Sequence, residues 1–212
     1  IAGSYGILDS LHQEINATAN MYEQDSVDIA SAGLLLLSKN GSPFVTSIPI
    51  QGRIVKIKVW VKTVGCVPLL LLDTDVEGNE AQDISICDRL YYGNKEHRLK
   101  QEMILGIGGL RVVQELGVTP RLYHLNEGHS ALMVFEMARR MVAAKDRETV
   151  QQALASINNV VFTNHTLIPA GNDVFSKDMV ISYLSSYALE FPVDPSELVK
   201  YGMIQDSSLF SP

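Results

Sequence analysis

The stretch Arg121-Leu-Tyr-His-Leu-Asn-Glu-Gly-His129 decides how the chain is read, together with its counterpart Val160-Val-Phe-Thr-Asn-His-Thr166. Each is an apolar run that stops at a polar cluster containing a histidine. Buried strands of open α/β sheets end this way, because their carboxyl ends open into a crevice where ligands bind. Between the two runs, Leu132, Phe135, Met137 and Met141 fall at helical spacing, and a further helix is expected from Asp146, as its N-cap, to Ile157. Strand, helix and strand in this order predict a parallel, helix-covered α/β sheet with a site at Asn126, Glu127 and His129 and at Thr163, Asn164 and His165.

Upstream, the pattern predicts a helix from Glu96 to Leu116 with Leu99, Met103, Ile107, Leu110 and Val113 on one face, stopped by Gly117 and Pro120. Gly106, Gly108 and Gly109 sit inside it, each costing about 1 kcal/mol against alanine, a cost that close packing usually offsets. Phe44 to Ile50 and Arg53 to Lys62 predict a hairpin about Gln51-Gly52, with Ile54, Ile57, Val59 and Val61 set against Lys56, Lys58 and Lys62. The continuous run Val67 to Leu72 reads as a strand buried on both faces. It ends at Asp73-Thr74-Asp75, which reads either as turn formers or as a carboxylate pair for a metal or a sugar hydroxyl. Glu77 to Asp88 has the composition of a surface loop.

At the N-terminal end, Gly3 and Gly6 precede Leu8, Leu11, Ile15 and Ala19, spacings that suggest a turn entering an amphipathic helix. Such a helix start can hold an anion on its unpaired N–H groups. A plain loop before a helix is the competing reading. Toward the other end, Asp173 to Glu190 is helical in part, and Asp194-Pro195-Ser196-Glu197 is a capped helix start.

Composition bounds the partners. The 212 residues are 46% apolar and 19% charged, which describes a packed chain with a sizeable core. A net charge of −7 without any basic block disfavours nucleic acid and anionic membranes. Cys66 and Cys87 read as reduced thiols of a cytoplasmic protein. No apolar run reaches the roughly 20 residues of a membrane span, and no signal-peptide pattern is present. The first residue is Ile1, as expected of a piece of something longer.

The two polar clusters are rich in hydrogen-bonding groups and lack an obvious nucleophile. Zinc on His124, Glu127, His129 and His165 is chemically conceivable, but His124 and Glu127 fall on opposite faces of an extended strand, so no metal is expected. Histidines that merely satisfy buried backbone groups are the competing reading.

Six ordered segments change the weighting: Leu71-Leu-Asp-Thr-Asp75, Asp88-Arg-Leu-Tyr91, Arg98-Leu-Lys-Gln-Glu102, Leu105-Gly-Ile-Gly-Gly109, His124-Leu-Asn-Glu-Gly-His129 and Thr163-Asn-His-Thr166. Together they resemble the N-terminal domain of the α-glucan phosphorylases, in the bacterial and archaeal form, over about Phe44 to Val193. The resemblance implies an α/β fold, the Rossmann-like N-terminal half of a glycosyltransferase-B (GT-B) fold, here incomplete and with a β-hairpin insertion. Residues 1–212 would then be a partial N-terminal domain.

The activity implied is phosphorolysis of α-1,4-glucan by inorganic phosphate, with retention, to glucose 1-phosphate. Pyridoxal phosphate would sit on a lysine of the C-terminal domain, which is not in this chain, so the fragment alone is expected to be inactive. By resemblance His165 is the catalytic residue at the donor glucose. Glu127 and His129 lie on the acceptor side, and Asn126, Asn164 and Thr166 are further substrate-binding residues. Gly3 is a phosphate-binding candidate, although the family's Gly-Gly-Leu-Gly stands here as Gly3-Ser4-Tyr5-Gly6. An open interdomain face would promote self-association. A non-catalytic glucan-binding α/β module is the alternative function.

Overall fold

The computed structural model describes residues 9–15, 20–26, 29, 32–88, 94–166, 173–191, 193–205 and 207–212. The chain divides into two compact units, Ile1–Thr46 with Lys56–Gly93, and Ser47–Val55 with Asn94–Pro212.

Antiparallel β-structure makes up most of the first unit, and the hairpin segment Ser47–Val55 is counted with the second. Strands β1 (Asp9–Ile15) and β2 (Asn20–Ser26) pair with each other. After the short strands β3 (Leu35–Leu36), β4 (Ser38–Lys39) and β5 (Ser42–Pro43) come β6 (Val45–Ile50), β7 (Arg53–Val64) and β8 (Val67–Asp73). Strand β7 is central, with β3, β6 and β8 all bonded to it. Gln51 and Gly52 both adopt positive φ, 48° and 82°, the conformation of a two-residue hairpin turn. Among the described residues, Leu34, Phe44, Ile57, Val59, Leu72, Ile86 and Cys87 are the buried apolar residues of this unit.

Several expectations are corrected here. Asp9–Ile15 is a strand rather than a helix. Leu11 and Ile15 are four apart, an even spacing that suits one face of a strand as well as of a helix, and the partner strand decides. Ile54 is 61% exposed while Val55, Ile57 and Val59 are fully buried, so the apolar face of β7 starts one residue later than the spacing suggested. Strand β8 is antiparallel to β7, and its first residue Val67 is exposed. It is not buried on both faces, because two-faced burial needs cover on both sides. The segment Glu77 to Asp88 contains α1 (Ala81–Ile84) and a 3-10 turn that bury Asp83, Ile86 and Cys87, so it is more than a surface loop. Asp73 accepts from Trp60 Nε1 at 2.8 Å and from the Asp75 amide at 2.8 Å, so it forms a turn, as one of its two readings had it.

The second unit carries the strand ends. Helices α2 (Lys95–Met103) and α3 (Gly109–Glu115) form one continuous helical run through a wider π turn at Ile104–Gly108. Asn94 caps its start by accepting from His97 N at 3.0 Å, and Gly117, at φ 76°, follows its end. Leu99, Met103, Ile107, Leu110 and Val113 are all buried, as their spacing predicts. A Cβ on Gly106 would lie 2.8 Å from Met133 N and 3.0 Å from Ser130 O, so the π turn packs backbone to backbone on the chain entering the next helix.

Strand β9 (Tyr123–Asn126), helices α4 (Met133–Ala143) and α5 (Val150–Ser156), and strand β10 (Val160–Thr163) follow in order. Strands β9 and β10 pair in parallel, Tyr123 opposite Val160 and Asn126 opposite Thr163. Leu110, Leu125, Met133 and Met137 form the core beneath them, with Tyr123, Ile157 and Val160 packed against it. Val161 and Phe162 are exposed, because among the described residues this sheet has only two strands. Helix α5 is capped by Thr149, whose hydroxyl accepts from Gln152 N at 3.2 Å, and not by Asp146. Lys145, at φ 59°, turns the chain before Asp146, which delays the helix.

Strand β11 (Phe175–Ser176), helices α6 (Lys177–Ala188) and α7 (Pro195–Val199), and strand β12 (Leu209–Phe210) complete this unit. Asp194 caps α7 through Ser196 N at 2.7 Å, as the sequence predicts. The hairpin tip docks on α6, where the Gly52 amide donates to Ser186 Oγ at 3.0 Å.

Candidate active site

The site forms where β9 and β10 end side by side. The Glu127 amide donates to Thr163 O at 2.9 Å, the last rung of the parallel ladder. Glu127 itself stands at φ 60°, ψ −176°, a backbone region otherwise used almost only by glycine. Its side chain turns back across the sheet edge, and Oε1 accepts from the His165 amide at 2.7 Å and from Thr166 Oγ1 at 3.4 Å. Glu127 is buried, and its Oε2 has neither solvent nor a partner. The His165 imidazole meets Asn126 Oδ1 at 2.9 Å through Nε2, so Nε2 carries the proton. Asn164 Oδ1 accepts from the Thr166 amide at 2.8 Å. Asn126, Asn164 and His165 are exposed, and Thr166 is half-buried.

Asn126, Glu127, Asn164, His165 and Thr166 are therefore brought together. His124 is not among them. Its Nε2 meets Thr163 Oγ1 at 2.6 Å, as strand alternation predicts. Gly3 lies outside the described residues.

His129, one turn further on, belongs to a second cluster that the sequence reading did not single out. Arg98 Nη2 lies 3.2 Å from His129 Nδ1 and 2.6 Å from Asp173 Oδ2. Ligand-type atoms of Glu102, His129 and Asp173 lie within 4.8 Å of one another, beside a cavity of about 130 Å³ that Gly128 and Phe162 also line. Glu102 is fully buried, its oxygens receive no hydrogen bond from an arginine, a hydroxyl or a backbone amide, and its carboxyl faces that of Asp173, a contact that favours the protonated form. Burial, then the charge of Asp173, pushes its carboxyl well above the usual carboxylate range, and Arg98 offsets this only in part. Burial, then Arg98, holds the His129 imidazole below its ordinary value.

Arg98 already neutralises Asp173 and competes for the lone pair of His129. The cluster is therefore better suited to one shared proton than to a metal cation. Arg98 and Glu102 share a helix face at i, i+4 and bound one of the six segments that resemble the family, the signals in the sequence that could have flagged them.

A larger cavity of about 420 Å³ lies against Leu132, Phe135, Leu154, Ile157, Tyr201 and Phe210 and shares Ser211 and Pro212 with the smaller one. Its lining lacks convergent polar side chains. No helix among the described residues is long and apolar enough to cross a membrane.

No family model matches the chain. Among individual proteins it is 39% identical over 159 residues to a glycogen phosphorylase of Mycobacterium tuberculosis, covering 71% of this chain and 18% of that protein. It is 39% identical over 160 residues to a maltodextrin phosphorylase of Thermococcus litoralis, covering 75% of this chain and 19% of that protein. A glycogen phosphorylase of Aquifex aeolicus matches at 26% over 168 residues. The chain thus spans about a fifth of the length of these relatives.

Among solved structures, the catalytic domain of starch synthase IV from Arabidopsis thaliana, bound to ADP and acarbose, superposes with a TM-score of 0.54 at 17% identity, over 84% of this chain and 31% of that one. The mixed α/β architecture is thus that of part of a GT-B catalytic domain. Over the residues that match, the chain belongs to the family of glycogen and maltodextrin phosphorylases and corresponds to a fragment of their sequence.

Proposed function

We propose that residues 1–212 are part of the N-terminal lobe of an α-1,4-glucan phosphorylase, which transfers the terminal glucose of a glucan to inorganic phosphate and releases glucose 1-phosphate. The observation that carries this reading is the convergence of Asn126, Glu127 and His165 at two adjacent strand ends, in two of the segments whose sequence resembles the phosphorylases. In this reading the glycosidic bond breaks as positive charge develops at the anomeric carbon. A fixed main-chain carbonyl of His165 would stabilise that charge, and its ring would hold the sugar. Asn126, Asn164 and Thr166 supply hydrogen bonds of the kind that sugar hydroxyls make, with His129 on the acceptor side.

Pyridoxal phosphate, when bound, supplies the phosphate group that moves protons in this family. The strand ends here offer amide, hydroxyl, imidazole and carboxylate groups and no lysine, so we assign its lysine to a second lobe. The free cysteines Cys66 and Cys87 fit a cytoplasmic setting. Exposed Leu122, Val161 and Phe162 favour self-association of the fragment.

The test is glucose 1-phosphate release from maltodextrin and phosphate by the complete protein loaded with pyridoxal phosphate. Activity is expected, with a loss of about 10²- to 10³-fold in His165→Ala. No release by the loaded parent protein overturns the reading. Tight binding of maltoheptaose to this chain without any turnover would favour a glucan-binding module instead.

A further inference from the structure

We infer that Glu127 is a positioning residue: it holds the main chain of His165 and does not itself grip a sugar. The inference deepens the phosphorylase reading and rests on it for the kinetic part of its test.

Three observations meet at this residue. Glu127 stands on a backbone conformation that glycine adopts freely, and Gly128 follows immediately, yet the strained position carries a side chain. That side chain is spent on the neighbouring strand end, with Oε1 at 2.7 Å from the His165 amide. Its backbone amide binds the same strand end at Thr163 O, 2.9 Å away. One residue thus grips both sides of Asn164, at Thr163 and at His165.

Access argues the same way. Oε2 is buried without a partner, so a sugar hydroxyl would have to open the turn to reach it. Asn126, the preceding residue, fixes the His165 ring through Nε2. Consecutive residues therefore hold His165 at its ring and at its main chain. Removing the carboxylate frees the His165 amide and the Thr166 hydroxyl, the two holds that flank the carbonyl assigned to the developing charge.

The test compares Glu127→Gly and Glu127→Gln in the complete, cofactor-loaded protein. Glu127→Gly relaxes the backbone and deletes the clamp, whereas Glu127→Gln keeps an oxygen for the His165 amide. In the glycine variant, exchange at the amides of 163–166 should rise about tenfold or more while the melting temperature stays near that of the parent. Its kcat should fall about 10- to 100-fold with KM for maltodextrin little changed. The glutamine variant should recover most of both.

A raised KM with unchanged kcat in both variants would mark a sugar contact and overturn the inference. Unchanged amide exchange in Glu127→Gly would overturn it as well. If the parent protein releases no glucose 1-phosphate, the phosphorylase reading fails by itself, and the exchange experiment still decides whether Glu127 clamps the strand end.

Discussion

Glu136 and Glu102 are both fully buried carboxylates in the same unit, yet their surroundings are opposite. Glu136 receives Arg139 through Nη2 at 2.6 Å and Nε at 2.9 Å, Arg111 at 3.2 and 3.3 Å, and the Tyr187 hydroxyl at 2.9 Å. Arg111 continues to Ser47 O at 2.9 Å, tying strand β6 to helix α3. Burial alone would raise the Glu136 carboxyl, but the Arg139 hydrogen bonds and the two guanidinium charges hold it below its usual value. Glu102 accepts from no guanidinium or hydroxyl, faces the Asp173 carboxyl instead, and is pushed the other way.

A carboxylate whose lone pairs are filled ties elements together and has nothing left to offer a ligand. One left unfilled beside a cavity is a cost to folding that persists only where the surroundings support it, and such groups mark sites. The Glu136 cluster ties helices together, whereas Glu102 stands against the cavity that it lines with His129 and Asp173.

The largest effect expected is at the satisfied carboxylate. Glu136→Ala should cost about 3–5 kcal/mol, because it removes the buried carboxylate that two guanidinium groups and a phenol share and leaves the two arginines only the more exposed Glu190. Urea unfolding measures it, and a cost near zero would remove the contrast with Glu102. Next, Gly106→Ala should cost about 1–3 kcal/mol by overpacking, because the added Cβ meets main-chain atoms at Ser130 and Met133 that cannot rotate away. The same shift should disturb the turn carrying His129, which solvent access at that histidine would reveal.

Glu102→Gln has the opposite sign. A carboxyl raised in the folded state leaves the native protein holding more protons than the unfolded chain, so stability declines as pH climbs above 4.5 toward the raised value. The glutamine variant should flatten that decline and be the more stable protein in mildly alkaline buffer. A parallel pair of stability profiles would mean that Glu102 is not the titrating group. The smallest effect should be His129→Gln. An imidazole held below 6.5 contributes stability at neutral pH that is lost as pH falls from 6.5 through its folded value, and the variant should lack that acid-side loss. Thermal melts between pH 5 and 7.5 would reveal it.

Much of this contrast was illegible from the chain alone. Glu102 and Asp173 are 71 positions apart, and nothing local joins them. Arg111 and Tyr187 converge on Glu136 across three helices, and charged residues on a helix face ordinarily read as solvated. At Asp9–Ile15 and at the start of α5, local spacing pointed to a helix and to a cap at Asp146, but strand pairing and the turn at Lys145 decided otherwise. By contrast, the Gln51-Gly52 turn, the Asp194 cap and the buried face from Leu99 to Val113 follow from neighbours within a few residues, and all were readable.

The sequence by itself determined the strand–helix–strand order, the two polar strand ends and the resemblance to the phosphorylases, because periodicity and motif are local properties. Only the tertiary structure decided how those strand ends touch. The parallel register sets Asn126 beside Thr163, and the positive φ of Glu127 swings its carboxylate across the sheet edge onto the amide of His165. That contact spans 38 residues and depends on a backbone conformation that no side-chain pattern encodes.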